Sequence, residues 1–77
     1  MKTYTLFGTE GCHLCEDAEA LLHAAHIAFE SIDIINDATA WQRYSIRIPV
    51  LLNHGNHQEL DWPFDAQQLQ SFIARTA

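Results

Sequence analysis

With 77 residues, and a formal net charge of −6 from four Lys and Arg against ten Asp and Glu, the chain is sized for one small acidic domain spanning residues 1–77. That balance argues against nucleic-acid partners and attachment to anionic membranes, both of which need clustered basic residues. A hydrophobic share of 48% argues against disorder, and no segment reaches the roughly 20 apolar residues of a membrane span.

The N-terminus carries one basic residue, Lys2, and no apolar run of signal-peptide length follows it. The expected compartment is the cytoplasm, where thiols are kept reduced and disulfides are transient. Residues 3–7 alternate β-branched with aromatic or aliphatic side chains and predict a strand. Gly8-Thr9-Glu10-Gly11 reads as a turn, with two glycines able to take positive φ. A helix pattern begins at Cys12. Leu14, Ala18, Leu21, Leu22 and Ala25 form one apolar stripe, and Glu16, Asp17 and Glu19 complement the dipole in its first turns. The helix is expected to end near His26.

Residues 27–34 predict a second strand with mixed faces, so strand, helix and strand imply a right-handed parallel crossover. Asn36 or Asp37 can cap a short helix through about Tyr44, with Trp41 and Tyr44 packed on one side. Residues 48–52 form an apolar run suited to a buried strand. Residues 53–57 are a turn, and 58–62 a return strand. The last helix has a clear start. Asp65 is the N-cap, Gln68 its capping-box partner, and Phe64 with Leu69 a hydrophobic staple. Leu69, Phe72 and Ile73 mark its buried side. The order is βαβαββα.

The chain's two cysteines, Cys12 and Cys15, lie three apart where a strand gives way to a helix. Residues three apart share a helix face, so the two sulfurs can meet. Free N–H groups and the positive end of the dipole at a helix N-terminus favour thiolate over thiol. The pattern therefore points to thiol–disulfide redox chemistry. A structural staple is the plainer reading, but so short a loop removes little chain entropy. Zinc is another. The available set would be Cys12, Cys15, His23 and His26, yet on one straight helix His26 lies about 21 Å beyond Cys12, too far for one ion. His54 and His57 flank a glycine turn and read as solvated, with a weak metal pair at the loop tip as their alternative.

The Cys12–Cys15 pair after the first strand, with Ile48-Pro49-Val50 opening the third, resembles the glutaredoxin branch of the thioredoxin superfamily. The short, divergent bacterial glutaredoxin-like proteins are most similar. The resemblance covers essentially the whole chain. It implies an α/β, thioredoxin-like fold of glutaredoxin type. Its four-stranded mixed sheet would have the first and third strands central, two helices on one face and one on the other. It places Pro49 at the family's cis-proline position, facing the cysteines. It implies a disulfide oxidoreductase with Cys12 as nucleophile and Cys15 as resolving thiol, acting on protein or small-molecule disulfides.

His13 is the neighbour expected to help stabilise a Cys12 thiolate. Gly11, Leu14, Arg47, Ile48, Pro49 and Trp62 are the residues expected to contact substrate. Three departures bear on the reductant. His13-Leu14 replaces the family's Pro-Tyr, the usual preceding Lys is absent, and Asp61-Trp62-Pro63-Phe64-Asp65 stands where a Gly-Gly and acidic pair is usual. No bound cofactor is expected. An upstream thiol reductant is, with glutathione the candidate, and the chain is expected to act as a monomer. A non-catalytic interaction module on the same fold is the alternative.

Overall fold

The computed structural model describes residues 3–75. Its elements are β1 (Tyr4–Gly8), α1 (His13–Ala24), β2 (Phe29–Asp33), a 3₁₀ turn (Ile34–Asn36), α2 (Ala38–Tyr44), β3 (Val50–Asn53), β4 (Glu59–Asp61) and α3 (Ala66–Ala74). The sheet order is β2-β1-β3-β4, so β1 and β3 are central. β1 pairs with β2 in parallel and with β3 antiparallel, and β3 pairs antiparallel with β4. This is the expected βαβαββα order and mixed sheet.

Alternation along the central strands feeds two cores, because successive side chains point to opposite faces. Leu6 and Leu51 face one way and meet Ala18 and Leu22 of α1, with Phe64 and α3's Leu69 and Phe72. Phe7 and Val50 face the other way and meet Ile34 with Ala40 and Tyr44 of α2. Two helices thus cover one face and one the other. Phe7 and Tyr44 stack with centroids 4.3 Å apart.

Helix ends explain most of the boundaries. α3 starts where the sequence predicts, with both hydrogen bonds of the capping box formed at Asp65 and Gln68. Asp37 caps α2 by accepting from the Ala40 N–H at 3.0 Å. α1 ends in a Schellman motif. Ile27 N–H donates to the Leu22 carbonyl and His26 N–H to the His23 carbonyl, while His26 takes φ 58°. Chain is used up in that reversal, so β2 begins at Phe29 rather than at residue 27.

Three expectations are corrected. Leu14 is 48% exposed; the buried stripe of α1 runs through Cys15, Ala18 and Leu22. Trp41 is 50% exposed, and Ala40 with Tyr44 forms the buried side of α2 instead. Gly8 belongs to β1, and among the described glycines only Gly11 has positive φ. At the far end of the sheet, His54 is an exposed turn residue, as expected, and it also bonds back to β1. Its Nε2 lies 2.6 Å from the Oγ1 of buried Thr5.

Candidate active site

Strand registers bring the sequence-predicted residues to one end of the sheet. Gly8 pairs with Asp33, Phe7 with Val50, and Val50 with Asp61. The ends of β1, β2 and β4 and the start of β3 therefore lie side by side. The Cys12 loop leaves from that edge, Pro49 enters it, and Trp62 follows it. The Ile48–Pro49 and Trp62–Pro63 peptide bonds are both cis.

Cys12 is the N-cap of α1, with extended backbone at φ −91° and ψ 108°. Its Sγ occupies the place of a capping oxygen and accepts the Cys15 N–H at 3.1 Å. Cys12 and Cys15 form a disulfide, with Cα atoms 5.2 Å apart. Cys12 is partly exposed, whereas Cys15 is only 6% exposed, packed as a small hydrophobe on the inner side of α1. One sulfur faces outward and the other is enclosed. In the dithiol form, the same amide and helix end are placed to stabilise an anion on Cys12.

His13 is fully solvated, its side chain 97% exposed, and its Nδ1 lies 3.6 Å from the Glu16 carboxylate. Leu14 faces solvent between the cysteines. Gly11 turns the chain into α1 at φ 79°. Pro49 is buried. Ile48 packs against the α2-side core. Trp62 packs against the α1/α3 core and meets Phe64 edge-on at 5.0 Å. The main chain around Pro49 is largely committed. Ile48 N–H donates to the Tyr44 carbonyl at 3.0 Å, and Trp62 N–H donates to the Pro49 carbonyl at 3.2 Å.

Arg47 has a partner set that sequence reasoning missed. It makes a two-pronged bond to Asp61, at 3.0 Å through Nε and 2.7 Å through its second terminal nitrogen, which also reaches Glu59 at 2.7 Å. The guanidinium lies 5.3 Å from the centre of the Tyr44 ring. Tyr44 donates its hydroxyl to the other oxygen of Glu59. This network ties the loop before Pro49 to β4. Hydrogen bonds to Asp61 and then Glu59 raise the Arg47 pKa, and burial raises that of Tyr44, helped by Glu59. Burial alone would raise Glu59. The Tyr44 hydroxyl and the two arginines outweigh it and lower its pKa.

Gly8, which the sequence places in a turn, ends β1 beside Cys15. A Cβ built there would lie 2.9 Å from Cys15 Sγ, so the bare backbone is what admits the buried sulfur. On the β2 side, a cleft of about 230 Å³ opens beside Cys15, lined by Thr9, Glu10, Glu19, Ser31 and Asp33. Among the described residues, no group of three or more His, Cys, Asp or Glu is placed to hold a metal ion. No helix of the described chain is long and apolar enough to cross a membrane.

A four-stranded mixed sheet with α1 and α3 on one face, and a Cys-x-x-Cys disulfide at the first helix's N-terminus, defines a thioredoxin-like protein of glutaredoxin type. Residues 3–74 match the family model described as Glutaredoxin-like domain (DUF836), and the chain belongs to that family. It is similar to the protein XcR50 from X. campestris, at 39% identity over 96% of this chain and 99% of that one, with a TM-score of 0.87. Protein Ne2328 from Nitrosomonas europaea is 28% identical over 92% of this chain and 89% of that one, with a TM-score of 0.78. A glutaredoxin from Archaeoglobus fulgidus shares the fold, with a TM-score of 0.69 at 17% identity over 95% of this chain and 87% of that one. No protein with a curated description matches the chain.

Proposed function

We propose that the chain is a thiol–disulfide oxidoreductase that reduces protein or small-molecule disulfides in the cytoplasm as a monomer. The observation that carries this reading is the asymmetry of the pair. The partly exposed Cys12 Sγ caps α1, and Cys15, bonded to it, is buried one turn in. In the reduced protein, the Cys12 thiolate attacks one sulfur of a substrate disulfide and expels the other as a thiolate, which takes a proton. A mixed disulfide results. Cys15, deprotonated, then attacks Cys12 Sγ, releasing the second substrate thiol and leaving the Cys12–Cys15 disulfide. Two electrons have passed to the substrate. The second step is intramolecular, so its partner is always at hand.

Gly11 and Leu14 border the attacked sulfur. Ile48, Pro49 and Trp62 form the facing wall, where the Ile48 carbonyl can accept a hydrogen bond from an extended substrate strand. Arg47 serves that wall by holding its loop to Asp61 and Glu59. His13, when protonated, adds positive charge at the helix start, which Glu16 partly offsets. No cofactor is held. An upstream thiol, with glutathione the candidate, would reduce the disulfide again.

The test uses Cys15→Ser and Cys12→Ser variants with oxidised insulin as substrate and dithiothreitol as reductant. Wild-type protein is expected to accelerate insulin reduction, Cys12→Ser to abolish the acceleration, and Cys15→Ser to accumulate a mixed disulfide on Cys12. Absence of both turnover and trapping would favour a non-catalytic interaction module.

A further inference from the structure

Gly8 ends β1 directly under the disulfide. It pairs with Asp33 as an ordinary strand residue and has no positive φ, so its backbone does not call for glycine. What calls for glycine is space. A Cβ at residue 8 would lie 2.9 Å from Cys15 Sγ and 3.2 Å from Cys15 Cβ, inside the ~3.5–4.0 Å of a comfortable contact. We propose that Gly8 is a positioning residue that seats the Cys15 sulfur against β1 and thereby favours the disulfide over the dithiol, a role whose catalytic consequence rests on the oxidoreductase reading above.

The direction follows from which atoms can move. Cys15 Cβ is fixed by α1, whose neighbouring turn buries Ala18 and Leu22. In the disulfide, Cys15 Sγ is fixed as well, by its bond to Cys12. A methyl group at residue 8 can then be relieved only by shifting α1 against β1. In the dithiol, the Cys15 thiol can turn to another staggered rotamer, away from β1. The extra methyl therefore penalises the oxidised form more than the reduced one. The exchange that reads this is balanced by dithiothreitol. Its two thiols supply two electrons and two protons, the Cys12–Cys15 bond breaks to two thiols, and dithiothreitol closes to its cyclic disulfide.

Wild-type protein and Gly8→Ala are equilibrated with graded ratios of reduced to oxidised dithiothreitol, and their thiols are counted by alkylation and mass. Gly8→Ala is expected to favour the dithiol by about tenfold in the exchange constant, which is about 30 mV for a two-electron couple. An unchanged exchange constant would overturn the proposal. Thermal unfolding in the Cys15→Ala background is the second arm. The cost of Gly8→Ala to the oxidised protein should shrink once the Cys15 sulfur is gone; an undiminished cost would place the clash elsewhere and overturn the proposal. If oxidised Gly8→Ala does not fold, folding of Gly8→Ala/Cys15→Ala supports the role and its failure to fold overturns it. Loss of insulin turnover in the wild type would sink the oxidoreductase reading alone, leaving the shift in exchange constant as a separate readout.

Discussion

Cys12 and Cys15 are chemically the same residue in two environments, and the difference between them is set by three positions of helix. The N-cap sulfur receives an amide and stays partly exposed; the sulfur one turn later faces the core. Single-turnover mixing of the reduced variants with 2-hydroxyethyl disulfide separates the two roles. Cys15→Ser should retain the first attack and Cys12→Ser should lose it, because the Cys15 sulfur is buried away from the reagent. The cysteine pair was legible from its spacing together with the strand before it, the helix after it and Pro49. Leu14 turns outward because adjacent helix residues point about 100° apart and Cys15 beside it takes the core-facing position. Gly8 carried a signal that pointed the wrong way. A glycine in a turn pattern suggests freedom of φ, whereas here it is the absence of a side chain that matters.

At the scale of elements, capping was the most readable feature. α3's box is a local arrangement of Asp65 and Gln68, so the sequence alone locates it. Asp65→Ala should cost about 1 kcal/mol in urea unfolding, with a smaller loss on Asp65→Asn. The end of α1 was harder to place because His26, not glycine, adopts the left-handed conformation at its C-terminus. Trp41 misled for a related reason. On a two-turn helix lying on a sheet, the i, i+4 pair Ala40 and Tyr44 suffices to bury one side. The ion network between the Pro49 loop and β4 was invisible, since Arg47, Glu59 and Asp61 meet only once β3 and β4 pair. Its pH dependence has a definite sign. Glu59 is depressed in the folded protein, so its stabilisation is complete above its unfolded value and is lost as pH falls through its folded value. The stability gap between wild type and Glu59→Gln, measured by urea midpoints, should therefore close as the solution is acidified below about pH 4.3. A gap that is constant through that range would show that Glu59 is not held in its charged form by Tyr44 and Arg47.

Over the whole molecule, the fold was largely fixed by the pattern of strands and helices, since alternating side chains on β1 and β3 supply two cores to be covered from both faces. Leu51 is fully buried at the centre of the larger core, and Leu51→Ala should lower unfolding free energy by about 2–5 kcal/mol. The net charge of −6 acts at longer range, with Glu10, Glu16 and Asp17 exposed near the disulfide. At low salt, reduced protein should react faster with cationic cystamine than with anionic dithiodiglycolate. The ratio should fall as salt shortens the screening length to about 3 Å near 1 M.

The most direct measurement is the rate at which reduced Cys15→Ser protein forms a mixed disulfide with 2-hydroxyethyl disulfide, followed by mass across about pH 5 to 9, a span bracketing the free thiol. An adduct on Cys12 whose rate is half-maximal below about pH 8.5 is expected from a sulfur held at a helix N-terminus. No adduct on Cys12, or a midpoint at or above that of a free thiol, would contradict an activated nucleophile at that position.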